Sequence, residues 1–419
     1  MRVVGIDIGT TSTCGISFDL DKQEAVNVIT KNTNAFIKTY NPWEKIQSVK
    51  RITDISKEIL DELLTEDTVS IGITGQMHGI VYTDRNGSAI SPLYTWQDAR
   101  GTLSYGDKTY CKHLDCPSGY GSVTDFYNRV NGIRSKEAVA YCTIGDYFAM
   151  YICGLKRPLI HITNSASFGN KDNLVSDAVI TNDCETVGIY KNIPVSVAIG
   201  DNQASAFAAL KDEEDVLVNI GTGSQVSLVT DTPIDCKSVE VRPYFDGKYL
   251  IVGAALCGGR SYVVLKDFYS SVFDAANIVV DDVYSIMSAM VEKKSGTTLK
   301  ANTRFEGTRT DGTVRGSISN ISTSNFTAPD LTYAVLCGIA NELYEMYSDT
   351  KIKRKGIVAS GNGIRFNRSL QRIVESRFGG KLKIPVCTED AAFGAALFSL
   401  LSIRRFSSAK EVQSLVRYV

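Results

Sequence analysis

Two carboxylates and two glycine turns carry the chemistry open to this sequence. Asp7 lies near the end of the apolar run Val3-Val4-Gly5-Ile6-Asp7-Ile8, which leads into Gly9-Thr10-Thr11-Ser12. A second run, Val216-Leu217-Val218-Asn219-Ile220, leads into Gly221-Thr222-Gly223-Ser224. The two align without gaps, Gly9 on Gly221 and Ser12 on Ser224, so Asp7 falls on Asn219. Small residues let backbone N–H groups approach a phosphate, and the hydroxyls add donors. Two such turns facing each other would hold a polyphosphate from both sides, with Gly9, Thr10, Thr11 and Ser12 opposed by Gly221, Thr222 and Gly223. Asp7 would hold Mg²⁺ there, partly through water, because that ion gives up its hydration shell reluctantly. A strand-end Asp closing a turn is the competing reading.

Asp201 is the second carboxylate. It follows Gly200 and opens a small-residue helix, Asp201-Asn202-Gln203-Ala204-Ser205-Ala206. A carboxylate at a helix start can take the proton of a hydroxyl as its oxygen bonds to phosphorus. A helix N-cap Asp explains the same pattern equally well. Gly258-Gly259 and Gly361-Asn362-Gly363 offer side-chain-free surfaces for a nucleoside, with amides from Asn362 and Asn367. Glycines in a strand-to-helix turn, however, need no ligand. His78, Trp96, Asp98, Arg100, Asp201 and Asn202 have the donors, acceptors and flat face that a polyhydroxylated ligand requires. Each has a bland alternative: Trp96 in a core, Asp98 with Arg100 as a structural ion pair, His78 as a satisfied interior histidine.

The elements that must position these groups also come in pairs. Ile71-Gly72-Ile73-Thr74-Gly75-Gln76 resembles Ile357-Val358-Ala359-Ser360-Gly361-Asn362, and the Asp201 helix resembles Asp390-Ala391-Ala392-Phe393-Gly394-Ala395. With the turns, three features recur in the same order, which implies a tandem copy. Residues 2–8, 14–19 and 25–31 read as strands of an antiparallel meander. Asn86-Gly87 and Asp246-Gly247 read as hairpin turns, and helical periodicity marks 43–64, 135–153, 261–273, 281–293 and 331–350. The halves meet near Pro194, giving one domain over 1–193 and another over 194–419. Helices starting at Asp201 and Asp390 would bridge them and allow hinge closure.

The 419 residues carry a formal net charge of −1 and 43% hydrophobic residues. That composition suits a globular protein of two or three domains and leaves no electrostatic footprint for nucleic acid. No apolar run approaches a membrane span, and no signal peptide is recognisable at the start. Ten scattered cysteines then imply reduced thiols in the cytoplasm. Cys111-Lys112-His113-Leu114-Asp115-Cys116 lacks a second ligand pair at zinc spacing and reads as a surface loop.

These residues resemble the actin, Hsp70 and sugar-kinase superfamily, and more narrowly an FGGY-family carbohydrate kinase. Gly75-Gln76-Met77-His78-Gly79 is similar to that family's sugar-side signature, and Thr95-Trp96-Gln97-Asp98-Ala99-Arg100 to the version in its sedoheptulose branch. Arg309-Thr310-Asp311, Arg315-Gly316-Ser317, Asn325-Phe326-Thr327 and Gly361-Asn362-Gly363-Ile364-Arg365-Phe366-Asn367 lean the same way. The resemblance implies an α/β fold of two ribonuclease-H-like (actin/hexokinase-type ATPase) domains around a central cleft. It implies ATP and Mg²⁺ as cofactors, Asp201 as base, and Gln76, Met77 and His78 at the sugar. The implied activity is phosphorylation of a ketose, sedoheptulose ahead of xylulose or ribulose, by a monomer or homodimer with no nucleic-acid or membrane partner. A sugar-binding protein without turnover, or an actin-like nucleotide switch, is the alternative of a different class. One departure stands out: Cys14 occupies a position where family members often carry Lys.

Overall fold

The computed structural model describes residues 1–169, 178–308 and 311–419. Arg309 and Thr310, quoted above in a family motif, lie outside the described residues. By compactness the chain divides into two units. Unit 1 comprises residues 1–211, 242–248 and 389–416; unit 2 comprises 212–241, 249–388 and 417–419.

Unit 1 is built on a seven-stranded sheet. Arg2–Ile8, Ser12–Asp19 and Glu24–Asn32 form an antiparallel meander, close to the expected strands. Thr68–Gly75 adds in parallel beside the first strand, and Ile193–Ser196 and Ile199–Gly200 add in parallel beside it in turn. The first strand buries Val3, Val4, Ile6 and Ile8 on both of its faces. A run that ignores the period of two is what a sheet covered on both sides requires.

The two covers are helices. Val49–Leu63 is capped by Ser48, whose side chain accepts from Arg51 N at 3.3 Å, and buries Val49, Ile52, Ser56, Ile59, Leu60 and Leu63. That i, i+3, i+4 spacing gives one apolar stripe. A Cβ on Gly15 would meet Ile59 and Leu63, whereas one on Gly5 would meet Ala392 of the helix Asp390–Ser402. Gly5 pairs with Ile16, the neighbour of Gly15, so the two helices lie on opposite faces. Phe18 against Phe393, with centroids 4.7 Å apart, and a 2.8 Å hydrogen bond between the Ser70 and Ser399 hydroxyls fix the second helix.

Unit 2 repeats the plan. Asp215–Ile220, Ser224–Thr230 and Tyr249–Ala255 form the meander, with Gly356–Ser360 and then Leu382–Lys383 added in parallel. Both sheets therefore follow the ribonuclease-H-like order of a meander extended by parallel strands beside its first strand. The ladders match residue for residue: Val4 faces Ile71 as Val216 faces Ile357, and Asp7 faces Thr74 as Asn219 faces Ser360. The core of unit 2 joins Val216, Val218 and Ile220 to Leu336, Ile339 and Leu343 of the helix Ala328–Asp349.

Three expectations change. Ile8 pairs with Thr13 but Ile220 pairs with Ser224, so the first turn is one residue longer and the gapless alignment fails beyond it. The helices Asp201–Ala209 and Asp390–Ser402 both belong to unit 1, so neither spans two units and the division falls after Lys211 instead of after residue 193. Helix 135–153 is shorter, because Ala140–Cys142 forms a strand and Thr143 then caps Ile144–Ile152.

Candidate active site

In unit 1 the C-terminal ends of the first and fourth strands bring Asp7, the turn 9–12 and the segment after Gly75 together. Three successive carbonyl oxygens of the turn are tied back by neighbours. Gly9 O accepts from Gln76 Nε2 at 3.4 Å, Thr10 O from Gln47 Nε2 at 2.6 Å, and Thr11 O from Thr33 N at 2.9 Å. A turn whose negative ends are engaged in this way turns its donor character outward, which suits an anion. Gln47 and Gln76 are joined at 3.0 Å and almost wholly buried. Gln76 Oε1 is a buried acceptor with no hydrogen-bond partner.

Asp201 is the first residue of its helix, and the cap position belongs to Gly200, which makes no side-chain bond there. The N-cap reading of Asp201 is thereby replaced. Its Oδ1 accepts from Asn202 N and from Asn202 Nδ2, both at 2.7 Å, which fixes the carboxylate's rotation. Gly200 is held by Thr163 Oγ1, which accepts from its N–H at 3.1 Å, and by Met77, whose sulfur and methyl lie close beneath it. Met77 is buried, so it supports the Asp201 backbone and does not offer a surface to ligand.

Asp7 carries the electrostatic signature of the site. Burial, then the charges of Asp201 and Glu389, raise its carboxyl to about 7. Cys14, its neighbour across the ladder, donates its thiol to Glu389 Oε2 at 3.4 Å, and burial chiefly holds that thiol up at about 12. A cation beside Asp7 would relieve this mutual repulsion, so the donor set fits a magnesium ion carrying several waters. Among the described residues, no three His, Cys, Asp or Glu side chains close into a metal cage.

The residues expected at the sugar separate into two groups. His78 has φ 68° and lies stacked on Tyr120, with centroids 4.1 Å apart. Its Nδ1 donates to Ser167 O at 2.8 Å, which leaves Nε2 as the acceptor nitrogen. Trp96 is 45% exposed, not core, and its Nε1 donates to Thr10 Oγ1 at 3.0 Å. Asp98 and Arg100, in contrast, are each only 1% exposed. Arg100 spends its donors on Asp98, Asn128 and Glu44 and lies 4.3 Å over the Tyr94 ring, while Asp98 also accepts from Lys45 N. Their expected contact with sugar hydroxyls is corrected: the pair braces the loop that presents Trp96.

Unit 2 gathers its glycines onto one turn. Gly221 O accepts from Gly259 N and Thr222 O from Arg260 N, both at 2.9 Å, so the start of the helix Gly258–Ala275 abuts the turn. A Cβ on Gly259 would lie 2.3 Å from Gly221 O, and one on Gly361, whose φ is 88°, would lie 2.6 Å from Ile220 O. Asn362 is exposed, as a ligand contact requires. Asn367 is not available in the expected way, because its side chain caps the helix Arg368–Phe378 by accepting from Leu370 N at 2.9 Å.

Residues 2–106 match the N-terminal domain of the FGGY family of carbohydrate kinases. The chain is 29% identical to the sedoheptulokinase of Mus musculus, over 86% of this chain and 87% of that protein. The chain thus carries an FGGY N-terminal domain and is similar over most of its length to named carbohydrate kinases. This carbohydrate kinase is also 25% identical to the xylulose kinase of Staphylococcus xylosus, over 98% of its own length and 92% of that protein's. It shares its fold with the crystal structure of xylulose kinase from Rhodospirillum rubrum, with a TM-score of 0.85 and 18% identity over 100% of this chain and 93% of that one. No described helix of the kinase is long and apolar enough to cross a membrane.

Glu389, Gln47, Thr163 and Tyr120 escaped the sequence reading. Glu389 stands beside Asp390, which opens the duplicated helix, so its neighbour carried a signal. The other three act through contacts across long stretches of chain, which no local pattern announces.

Proposed function

We propose that this kinase transfers the γ-phosphoryl group of ATP to the terminal hydroxyl of a ketose, converting sedoheptulose to sedoheptulose 7-phosphate in the cytoplasm. The carrying observation is the Asp201 carboxylate, fixed by Asn202 at a helix start in the same unit as His78, Trp96 and the turn 9–12. Asp201 takes the hydroxyl proton while the sugar oxygen bonds to the γ-phosphorus and the bond to the β-phosphate oxygen breaks, releasing ADP. Asp7 would hold Mg²⁺, which screens phosphate charge when bound. Thr10, Thr11 and Ser12 donate to phosphate oxygens. The turn 221–223, with Gly258, Gly259, Gly361, Asn362 and Gly363, contacts the nucleotide. His78, through Nε2, and the open face of Trp96 orient the sugar, together with Asn202.

The similarity to sedoheptulokinase and the Gln97-Asp98 pair in the Trp96 segment support sedoheptulose; the full-length similarity to a xylulose kinase supports xylulose as the second reading. A coupled ADP-release assay with sedoheptulose, xylulose, ribulose and glycerol, with product mass determined, tests both. The expected result is ADP formed in step with a phosphorylated seven-carbon sugar. ADP release that no acceptor stimulates would remove the kinase reading.

A further inference from the structure

The Trp96 indole is a donor only, so its bond to Thr10 forces the Thr10 hydroxyl to accept. The hydroxyl proton must then point elsewhere, and a hydroxyl that already accepts is a stronger donor to its next partner. The carbonyl of the same residue is clamped by the buried Gln47, which is itself bonded to Gln76, so the hydroxyl is the part of the Thr10 side chain left to respond. The other end of the link is open: Trp96 is 45% exposed, while the Asp98–Arg100 pair beneath its loop is buried and rigid. Trp96 thus joins a face able to sense one ligand to a hydroxyl able to serve another.

We infer that Trp96 couples the two substrates: a sugar covering its ring fixes the indole, and the indole sets the Thr10 hydroxyl as a phosphate donor. This rests on the ketose-kinase reading above and adds a direction to it. With the sugar site empty the indole is free to swing, the Thr10 donor loses its orientation, and nucleotide is held less well. The effect is reciprocal, as linkage demands: bound nucleotide tightens the sugar site by the same factor. Trp96 is here a positioning residue toward the nucleotide, whatever it contributes to the sugar directly.

The test measures affinity for the Mg²⁺ complex of adenylyl imidodiphosphate with and without saturating sedoheptulose. Wild type, Trp96→Phe, Thr10→Ser and Thr10→Val are compared, each checked by its melting curve. One neutral hydrogen bond corresponds to a coupling of roughly 2- to 12-fold. The wild type and Thr10→Ser should show that enhancement; Trp96→Phe, which keeps the ring and loses the N–H, and Thr10→Val should show none. A merely structural role for the bond would lower melting temperature in both without changing the ratio. Enhancement retained in Trp96→Phe or Thr10→Val, or absent from a wild type that turns over sedoheptulose, overturns the inference and leaves the kinase reading standing. A wild type that releases no ADP with any ketose overturns the ketose-kinase reading itself, and the coupling with it.

Discussion

Arg100 and Asp98 meet through two bonds, Nε to Oδ1 at 2.7 Å and NH2 to Oδ2 at 3.0 Å, with both side chains closed off from solvent. Removing one member of such a pair strands the other charge in a dry site. Arg100→Leu should therefore cost about 3–5 kcal/mol of stability, read from urea unfolding at neutral pH. The pair braces the loop that carries Trp96 without reaching ligand, so the KM for ketose should rise only in step with the lost stability. A stable variant with a raised ketose KM would return Arg100 to the sugar site.

Asp201→Asn keeps the shape and the bonds to Asn202 but cannot take a proton. Turnover should fall by about 10²–10⁴, the usual contribution of a positioned base, while nucleotide affinity by equilibrium binding is retained. Undiminished turnover in a folded variant would remove Asp201 from the chemistry.

Asp7 is predicted to trade stability for activity. Its carboxylate is desolvated and faces the charges of Asp201 and Glu389. Asp7→Asn relieves that repulsion, so without Mg²⁺ the variant should melt higher than the wild type. Its turnover should collapse, and its Mg²⁺ titration should shift to higher concentration. A lower melting point together with an unchanged Mg²⁺ titration would contradict the assignment.

Much of this architecture was legible because a duplication writes the same message twice. The paired turns, the strands at Ile71 and Ile357 and the helices at Asp201 and Asp390 identified both sheets, and their ladders superpose as Val4 with Ile71 and Val216 with Ile357. Local pattern could not reveal the extra residue in the first turn, since Ser12 and Ser224 invite a gapless match while strand pairing sets Thr13 opposite Ile8. Nor could it separate Trp96 from Asp98 and Arg100, three neighbours of like promise. Exposure depends on Trp43, Lys45, Tyr94 and Asn128 closing over the ion pair, and that is a tertiary fact. The roles of Gln47 and Glu389 were hidden for the same reason.

Gly259 tests the assignment of the turn 221–223 to the nucleotide. Its N–H bonds Gly221 O at 2.9 Å, and a Cβ would sit 2.3 Å from that oxygen. Backbone atoms cannot step aside as a side-chain tip can, so Gly259→Ala should displace the turn 221–223. The expected readout is a KM for ATP raised about tenfold, equivalent to ~1.4 kcal/mol and within the range for overpacking, with ketose binding in the absence of nucleotide unaltered. An unchanged KM for ATP would place the nucleotide elsewhere in the kinase.

Asp146 makes a pH prediction that owes nothing to the active-site assignment. It is 1% exposed and accepts from Thr143 Oγ1 at 2.7 Å and Asn164 Nδ2 at 2.9 Å. Burial outweighs these bonds and raises its carboxyl from 3.8 to about 7. The folded protein therefore holds this proton more tightly than the unfolded chain, and the stability it confers is complete below about pH 4. Stability is lost as pH climbs toward 7, at up to ~1.4 kcal/mol per unit, and above that the deficit is constant. Asp146→Asn cannot ionise, so its advantage over the wild type should widen between pH 5 and pH 7 in urea unfolding and then level off. Asp7 titrates identically in both proteins and cancels from the difference. A difference that does not change with pH would mean that Asp146 stays ionised in the folded state, its hydrogen bonds outweighing its burial.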